Sequence, residues 1–296
     1  MKKIDLHIHS NCSDGEKSPK EIIDIAKANN VKVISVADHD TVDAYTEEFY
    51  LYAKENNIDI INACEISTKY NGLGIHMLGL NIDVNSEVLK EKLYLNRNSR
   101  HIYLHDVSKV LRDLGYIVNE EKLDEIELVT KAHISTDIIT NPKNEEILLK
   151  EFGKIPSKGE FIEAIMNEGC KAFVDKVTLS PKEVVDLVHN AGGKVLIAHP
   201  VAYEVIDGLS KEEIINMIKD INPDGIESNY ILINQDGNKI NDSEFWSNFA
   251  KENKLIESVG SDFHRYDNVH PEIGDIVEIL NLSDEYVNEM LRNIMN

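Results

Sequence analysis

The sequence lacks the apolar runs and the cysteine pairs that are typical of membrane proteins and of disulfide-stabilised secreted proteins. No segment of the 296 residues approaches the roughly 18 consecutive apolar residues that a membrane span requires. The charged first three residues lead straight into strand-like sequence, without the apolar segment of a secretory signal. Cys12, Cys64 and Cys170 form no CxxC pair, which favours a reducing compartment. We therefore expect a cytoplasmic protein that does not contact a membrane.

Positive charge is also scarce. The chain has 31 Lys and Arg residues against 53 Asp and Glu residues, for a formal net charge of −22. A field of this sign repels nucleic acid phosphates at long range, so no surface for duplex nucleic acid is expected. A small phosphorylated substrate or a short oligonucleotide end remains compatible with it, because bound divalent cations invert the local potential. The composition leaves the oligomeric state open.

Helix-start signals recur along the chain and precede short strand-like runs. Ser18, Ser180 and Ser210 each begin an amphipathic stretch and are followed three residues later by glutamate, the pattern of a capping box. Val- and Ile-rich runs follow these helices, which indicates β-α units and a largely parallel sheet. Seven strands are expected, near residues 3–9, 31–37, 58–64, 74–80, 194–198, 224–228 and 255–260. Seven strands suffice to close a barrel, although counting does not exclude an open sheet.

The segment from residue 86 to residue 175 has a different pattern. Its stretches SEVLKEKLYLNRNSRHIYLHDVSKVLRDLG, NEEILLKEFG and KGEFIEAIMNEG show helical periodicity with little strand signal. Because this segment lies between the fourth and fifth expected strands, we predict a helical insertion there. The predicted domains are an α/β barrel domain of residues 1–85 and 176–296 and a helical cap of residues 86–175.

Histidines and carboxylates gather around the expected strands, mostly at their C-terminal ends. His7 and His9 are two residues apart at the end of the first strand, so both side chains should face the same way. In parallel α/β folds this edge is where active sites are built. Imidazoles packed against buried carboxylates are costly without cations, and these donors fit Mn²⁺, Zn²⁺ or Fe²⁺. The pattern predicts two or three divalent metal ions, Mn²⁺ in the first place, with these candidate ligands: His7, His9, Asp14, His39, Glu65, His76, His199, Asp262 and His264.

Six short motifs together identify a family. DLHIHSNCSDG, ADHDT, CEIS, GIHMLG, AHP and GSDFH occur in this order and resemble the PHP (polymerase and histidinol phosphatase) family of metal-dependent phosphoesterases. The resemblance spans nearly the whole chain and implies a distorted (β/α)7 barrel with a trinuclear site at the C-terminal edge of its strands. It implies one metal held by His7, His9, Glu65 and Asp262, a second by Glu65, His76 and His199, and a third by Asp14, His39 and His264.

Within this family the chain resembles the branch with a helical insertion between the fourth and fifth strands. That branch includes nucleoside 3′,5′-bisphosphate phosphatases, some of which also trim short RNA from its 5′ end. An Arg-Pro-His motif of the branch corresponds here to Lys131-Ala132-His133, and a later motif keeps its lysine as Lys176. Arg265 stands where glycine usually follows the last motif. The side chains predicted to bind substrate phosphate are Arg100, Lys131, His133, Lys176 and Arg265.

The function that the resemblance implies is hydrolysis of a phosphomonoester by a metal-activated hydroxide. The expected substrate is a nucleoside 3′,5′-bisphosphate, which would lose its 3′-phosphate. The alternatives are a phosphatase of histidinol phosphate or of a cyclic sugar phosphate, a 5′-3′ exonuclease on short RNA, and a metal-stabilised module without turnover. His133 or a metal water is the candidate proton donor, and Asp38 and Asp40 are candidates for orienting a ligand imidazole. The role of His270 stays open.

Overall fold

Val- and Ile-rich runs form the strands of the computed structural model, which describes residues 2–126, 129–175, 178–234, 237–267 and 270–296. The chain divides into two compact units, Met1–Tyr94 with Leu179–Asn296, and Leu95–Thr178. The described strands all lie in the first unit. In chain order they are β1 (Lys3–Ile8), β2 (Val31–Val36), β3 (Asp59–Ile60), β4 (Ala63–Tyr70), β5 (Leu73–Leu80), β6 (Lys194–Ile197), β7 (Gly225–Asn229), β8 (Leu232–Ile233), β9 (Lys239–Ile240) and β10 (Ile256–Val259).

Three helices begin where the capping signals predict them. At Ser18, Ser180 and Ser210 the serine hydroxyl accepts the N–H of the glutamate three residues on, and that glutamate binds the serine N–H in return. The α-helices are α1 (Pro19–Ala28), α2 (Glu47–Glu55), α3 (Glu87–Arg97), α4 (Ser99–Asp113), α5 (Glu120–Asp124), α6 (Lys131–Thr140), α7 (Glu145–Phe152), α8 (Lys158–Phe161), α9 (Pro181–Asn190), α10 (Pro200–Val205), α11 (Lys211–Ile221), α12 (Ser243–Asn253), α13 (Asp275–Ile279) and α14 (Asp284–Met295). A 3₁₀ turn, Pro142–Asn144, and a π-helical turn, Ile162–Met166, lie among them.

The strands form a three-stranded sheet in the order β1-β2-β3, a five-stranded sheet in the order β10-β7-β6-β5-β4, and the small hairpin β8-β9. The prediction of a largely parallel sheet is wrong at β5, which runs antiparallel to both β4 and β6. The cause is the two-residue turn Asn71-Gly72, whose φ angles of 48° and 87° suit a tight hairpin. The hairpin β8-β9 lies after the sixth predicted strand and was not predicted.

Two isolated parallel bridges join the two larger sheets. Ile8 pairs with Phe263, and His39 pairs with Glu65. One apolar cluster draws on strands of both sheets and on α14; its fully buried members include Leu6, Leu78, Leu196, Val287 and Ile294. Separate apolar clusters pack the remaining helices of this unit against the sheets. The bridges place the segments that carry the predicted metal ligands side by side at one edge of the two sheets.

The unit Leu95–Thr178 is built of helices in its described residues and has an apolar core of its own. Ile134, Leu148 and Phe161 are completely buried within it, and Tyr116 packs edge-on against Phe161. Across the described chain, no helix combines the length and the apolar character that crossing a membrane would need.

Candidate metal centre

Backbone hydrogen bonds between neighbouring segments set the positions of the predicted ligands. The Asp262 N–H donates to the His7 carbonyl at 2.9 Å, and the His9 N–H donates to the Phe263 carbonyl at 2.9 Å. On the other side, the Glu65 N–H donates to the Asp38 carbonyl at 3.2 Å. These bonds continue the ladders beyond the ends of β1, β2 and β10. Residues from distant parts of the sequence are thereby held side by side.

Glu65 is the centre of the cluster. Its carboxylate is 1 % exposed and has two oxygens, which offer about four lone-pair positions. Five imidazoles surround it, more than these positions accommodate as separate hydrogen bonds. The distances to its oxygens are 3.3 Å from His7 Nε2, 3.2 Å from His9 Nε2, 3.1 Å from His39 Nδ1, 3.2 Å from His76 Nδ1 and 3.1 Å from His199 Nε2.

Four ligand atoms converge beside Glu65. Those of His7, His9, Glu65 and Asp262 all lie within 4.8 Å of one another. The two Nε2 atoms of His7 and His9 are 3.1 Å apart, and Asp262 Oδ1 is 3.4 Å and 3.2 Å from them. In the neutral His7 ring, Nδ1 donates to Glu227, so its Nε2 carries a lone pair that faces other lone pairs. A divalent cation held by these residues would stabilise such a set.

A second set of ligand atoms gathers at Asp14. Those of His9, Asp14, His39 and His264 lie within 4.8 Å of one another. Asp14 Oδ1 is 3.3 Å from His264 Nε2 and 3.5 Å from His9 Nδ1, and its Oδ2 is 3.7 Å from His39 Nε2. His9 therefore belongs to both sets, whereas the family resemblance implies that it binds one metal only. A third set consists of His39, Glu65 and His76.

Unpaired nitrogens show that the cluster fits metal ions. Among the described residues, the buried Nδ1 atoms of His9, His39 and His199 make no hydrogen bond. Leaving such an atom unpaired costs about 1–3 kcal/mol, and native structures rarely tolerate it. His39 Nδ1 lies 3.1 Å from Glu65 without the geometry of a hydrogen bond. Imidazole and carboxylate donors without thiolate suit Mn²⁺, Zn²⁺ and Fe²⁺.

The pKa shifts of the clustered side chains show how their charges are balanced when no cation is bound. Burial alone would lower the pKa of His7, but Glu227, Glu65 and Asp262 hold it well above its ordinary value. Burial alone would raise the pKa of Glu65, but the neighbouring imidazoles hold it well below its ordinary value. Burial lowers the pKa of His39 to about 4, so this ring is neutral near pH 7, the form that binds metal. A divalent cation would displace the proton that the raised pKa keeps on the His7 ring.

Two of the predicted ligands have backbone conformations that few side chains adopt. His199 has a φ of 29° and Asp262 a φ of 55°, both in the left-handed region. Such conformations cost of order 1–3 kcal/mol and concentrate at functional sites. Packing around both residues compensates for this cost, since Tyr230 contacts the His199 ring and donates to Asp262 Oδ2 at 3.3 Å.

The sequence analysis missed Glu227, which holds two predicted ligands. This buried carboxylate on β7 lies 3.1 Å from His7 Nδ1 and accepts the His199 N–H at 2.9 Å. A carboxylate behind a ligand imidazole fixes its tautomer and orientation. The sequence signal that could have identified Glu227 is its position inside the short strand-like run DGIESNY.

Asp38 anchors a loop. Its carboxylate accepts hydrogen bonds from the Ser10 N–H at 2.7 Å, the Ser10 hydroxyl at 2.6 Å and the Ser13 hydroxyl at 2.6 Å. These bonds fix the loop that carries Asp14, and the role of Asp38 or Asp40 in orienting a ligand imidazole stays a prediction. Asp40 accepts the Ser67 N–H at 3.1 Å. The two carboxylates on either side of His39 therefore hold the backbone around the cluster.

Asp5 is a further buried carboxylate that the sequence analysis missed. It accepts N–H groups of His7 at 3.3 Å, Ser261 at 3.0 Å and Gly274 at 2.8 Å. Burial raises its pKa to about 6, although these hydrogen bonds oppose the shift. Asp5 therefore ties β1 to the loop that carries Asp262.

Two of the predicted substrate residues of the second unit, Lys131 and His133, have partners within that unit. Lys131 Nζ donates to the Met166 carbonyl at 3.0 Å. His133 is exposed, and its Nδ1 accepts the Thr130 N–H at 3.2 Å, which caps the start of α6. Arg100 lies on α4 and is partly exposed. Their assignment to substrate stays a prediction.

The other two predicted phosphate contacts lie elsewhere. The Arg265 side chain is 50 % exposed, with Nη1 3.6 Å from Glu16 Oε1 and Nε 3.7 Å from Asp267 Oδ2. It lies directly after His264, in the loop that follows β10. Lys176 lies outside the described residues.

Gly260 is required by a close approach next to the cluster. A Cβ atom at this position would lie 2.2 Å from His7 Cβ and 2.5 Å from Glu227 Oε1. Gly260→Ala is therefore expected to lower the free energy of unfolding by about 1–3 kcal/mol through overpacking, as measured by urea denaturation. Gly74→Ala is the control, because nothing lies within 4 Å of its added Cβ. Equal stability of both variants would contradict the tight packing behind His7.

The chain is similar to known proteins over most of its length. A family model, the PHP domain, matches residues 5–257. A 5′-3′ exoribonuclease of Haemophilus influenzae is 32% identical over 267 residues, which cover 89% of this chain and 90% of the relative. A 3′,5′-nucleoside bisphosphate phosphatase of Chromobacterium violaceum is 25% identical, over 89% of this chain and 88% of the relative.

Solved structures share the fold. A protein of Bifidobacterium adolescentis assigned as a metal-dependent phosphoesterase superposes with a TM-score of 0.61 at 19% identity, covering 100% of this chain and 97% of that one. An amidohydrolase of Chromobacterium violaceum with bound sulfate superposes with a TM-score of 0.59 at 22% identity, covering 98% and 96%. At these identities the likeness concerns the α/β fold.

Proposed function

Because the chain belongs to the PHP domain family, we propose that it removes the 3′-phosphate of a nucleoside 3′,5′-bisphosphate. It is a metal-dependent phosphoesterase of that family, a hydrolase of phosphoric ester bonds. The bisphosphate is favoured by the Chromobacterium violaceum phosphatase, which aligns over most of both chains. The net charge of −22 also favours a small substrate over long nucleic acid.

The observation that carries the proposal is the convergence of lone-pair donors around Glu65 and Asp262. Bound there, divalent cations would activate water and polarise the phosphoryl oxygens. We assign two to three cations to the cluster, with Mn²⁺ first and Zn²⁺ or Fe²⁺ as alternatives. The proposed ligands are His7, His9, Asp14, His39, Glu65, His76, His199, Asp262 and His264.

The chain's own residues orient this centre. Glu227 keeps the proton of His7 on Nδ1, so that Nε2 presents its lone pair to the cluster. Tyr230 binds Asp262 Oδ2 and leaves Oδ1 toward His7 and His9. Side chains held by such hydrogen bonds need little reorganisation during the reaction, which is the condition for electrostatic catalysis.

We also propose that the strands close into the distorted (β/α)7 barrel of the family, with residues 86–175 as its helical insertion. The bridges Ile8–Phe263 and His39–Glu65 support closure, because they join both edges of the five-stranded sheet to the β1-β2-β3 sheet. If β3 and β4 are counted as one strand, the two larger sheets together contain seven strands.

A phosphate-release assay with Mn²⁺ tests the substrate. We expect kcat/KM for adenosine 3′,5′-bisphosphate to exceed that for AMP, histidinol phosphate and cyclic sugar phosphates at least tenfold, or about 1.4 kcal/mol in the transition state. The product should be AMP, identified by chromatography. Slow turnover of the bisphosphate together with fast turnover of another ester would refute the proposed substrate. It would not contradict metal-dependent hydrolysis of a phosphoester.

A second candidate function is 5′-3′ exonuclease action on short RNA. The 32% identical Haemophilus influenzae relative bears that name. Oligonucleotides of two to ten residues with a 5′-phosphate separate the two, since an exonuclease releases mononucleotides stepwise from the 5′ end. A kcat/KM on these oligonucleotides above that on the bisphosphate would make the second function the main one.

A further inference from the structure

His270 adds a nitrogen donor to the metal centre that the nine proposed ligands do not include. One ligand atom each of Asp262, His264 and His270 lies within 4.8 Å of the other two. The His264 and His270 rings are 5.0 Å apart between centroids, and the His270 side chain is 21 % exposed. This set draws together one member of each of two predicted metal groups, Asp262 of the first and His264 of the third.

The Asp267 carboxylate contacts both the backbone N–H and the ring of His270. Asp267 Oδ1 accepts the His270 N–H at 2.9 Å, and its Oδ2 lies 3.1 Å from Nδ1 of the ring. An ionised carboxylate only accepts hydrogen bonds, so the proton of a neutral His270 ring must be on Nδ1. The Nε2 lone pair is then available to a cation. A carboxylate behind an imidazole is the usual arrangement around metal-ligating histidines.

We propose that His270 is a further ligand of a divalent cation at the Asp262–His264 side of the centre and that Asp267 is its positioning residue. The inference rests on the proposed metal centre. It adds a nitrogen donor, which favours borderline divalent metals over Mg²⁺. Through His270 and Asp267, the loop after β10 thereby takes part in metal binding.

Titration of the metal-free full-length protein with Mn²⁺ alone tests the inference. Free Mn²⁺ is measured by electron paramagnetic resonance for the wild type, His270→Ala, His270→Gln and Asp267→Ala. We expect both His270 variants to lose at least tenfold in affinity for one bound Mn²⁺. Asp267→Ala should lose about tenfold, the lower end of the range for residues behind a ligand.

The control is His189→Ala. His189 Nε2 lies 2.8 Å from Asp224 Oδ2, the same kind of pair, but His189 belongs to no metal-ligand group among the described residues. Its loss should leave Mn²⁺ binding unchanged. If the wild type binds Mn²⁺ and the folded His270 variants bind it equally well, the role of His270 is refuted. A wild type that binds no Mn²⁺ would overturn the metal centre itself, and this inference with it.

Discussion

Glu65→Gln should remove metal from this protein and lower its phosphatase activity on the order of 10³-fold, the scale of losing an electrostatic element of an active site. The substitution keeps the shape of the side chain but removes the charge that five imidazoles face at 3.1–3.3 Å. One oxygen becomes an NH₂ group, which donates to nitrogens whose lone pairs should bind cations. Metal content is measured by mass spectrometry of the purified protein, and kcat/KM by phosphate release.

Glu257→Gln is the matched control for this prediction. Glu257 is a buried carboxylate of the same unit that accepts the hydroxyls of Ser228 at 2.7 Å and Tyr286 at 2.6 Å. It belongs to no metal-ligand group among the described residues. Its variant should keep its full metal content, whatever its stability. Full metal content in folded Glu65→Gln would show that the carboxylate does not hold the cations.

Local signals in the sequence were sufficient for the helix starts. The capping box is a contact between residues three apart, so Ser18, Ser180 and Ser210 specify it without help from the rest of the fold. The hairpin at Asn71-Gly72 is equally local, and its dipeptide is a strong turn signal. It was not predicted because the alternation of helices and strands elsewhere favoured a largely parallel sheet.

The candidate site was predicted in part. Residues such as His7, His9 and Glu65 are visible because imidazoles and carboxylates are unusual at the ends of apolar strands. Which nitrogens face which oxygens was not predictable, and His9 belongs to two ligand sets. The partners behind the ligands were not predictable either, since the contact of His7 with Glu227 joins residues 220 positions apart. Strand order decides such a contact, and no local pattern encodes it.

Glu227→Gln should weaken binding of the cation at His7 about 10- to 100-fold, the usual effect of losing the group behind a ligand imidazole. Both oxygens of Glu227 lie within 3.2 Å of His7 Nδ1, and one also accepts the His199 N–H. Glutamine must place its NH₂ group against one of these partners. If it faces Nδ1, it favours the tautomer with the proton on Nε2, which blocks the lone pair.

If the NH₂ group instead faces the His199 N–H, two donors meet in a buried site, which is costly. Mn²⁺ titration of the metal-free variant should therefore show one weakened ion, with the remaining ions less affected. Glu257→Gln again serves as the buried carboxylate that lies away from the ligands. Because the variant retains the size of the side chain, a purely structural role would lower stability and leave the Mn²⁺ affinity of the folded fraction unchanged. Wild-type affinity at every Mn²⁺ site would therefore assign Glu227 to folding alone.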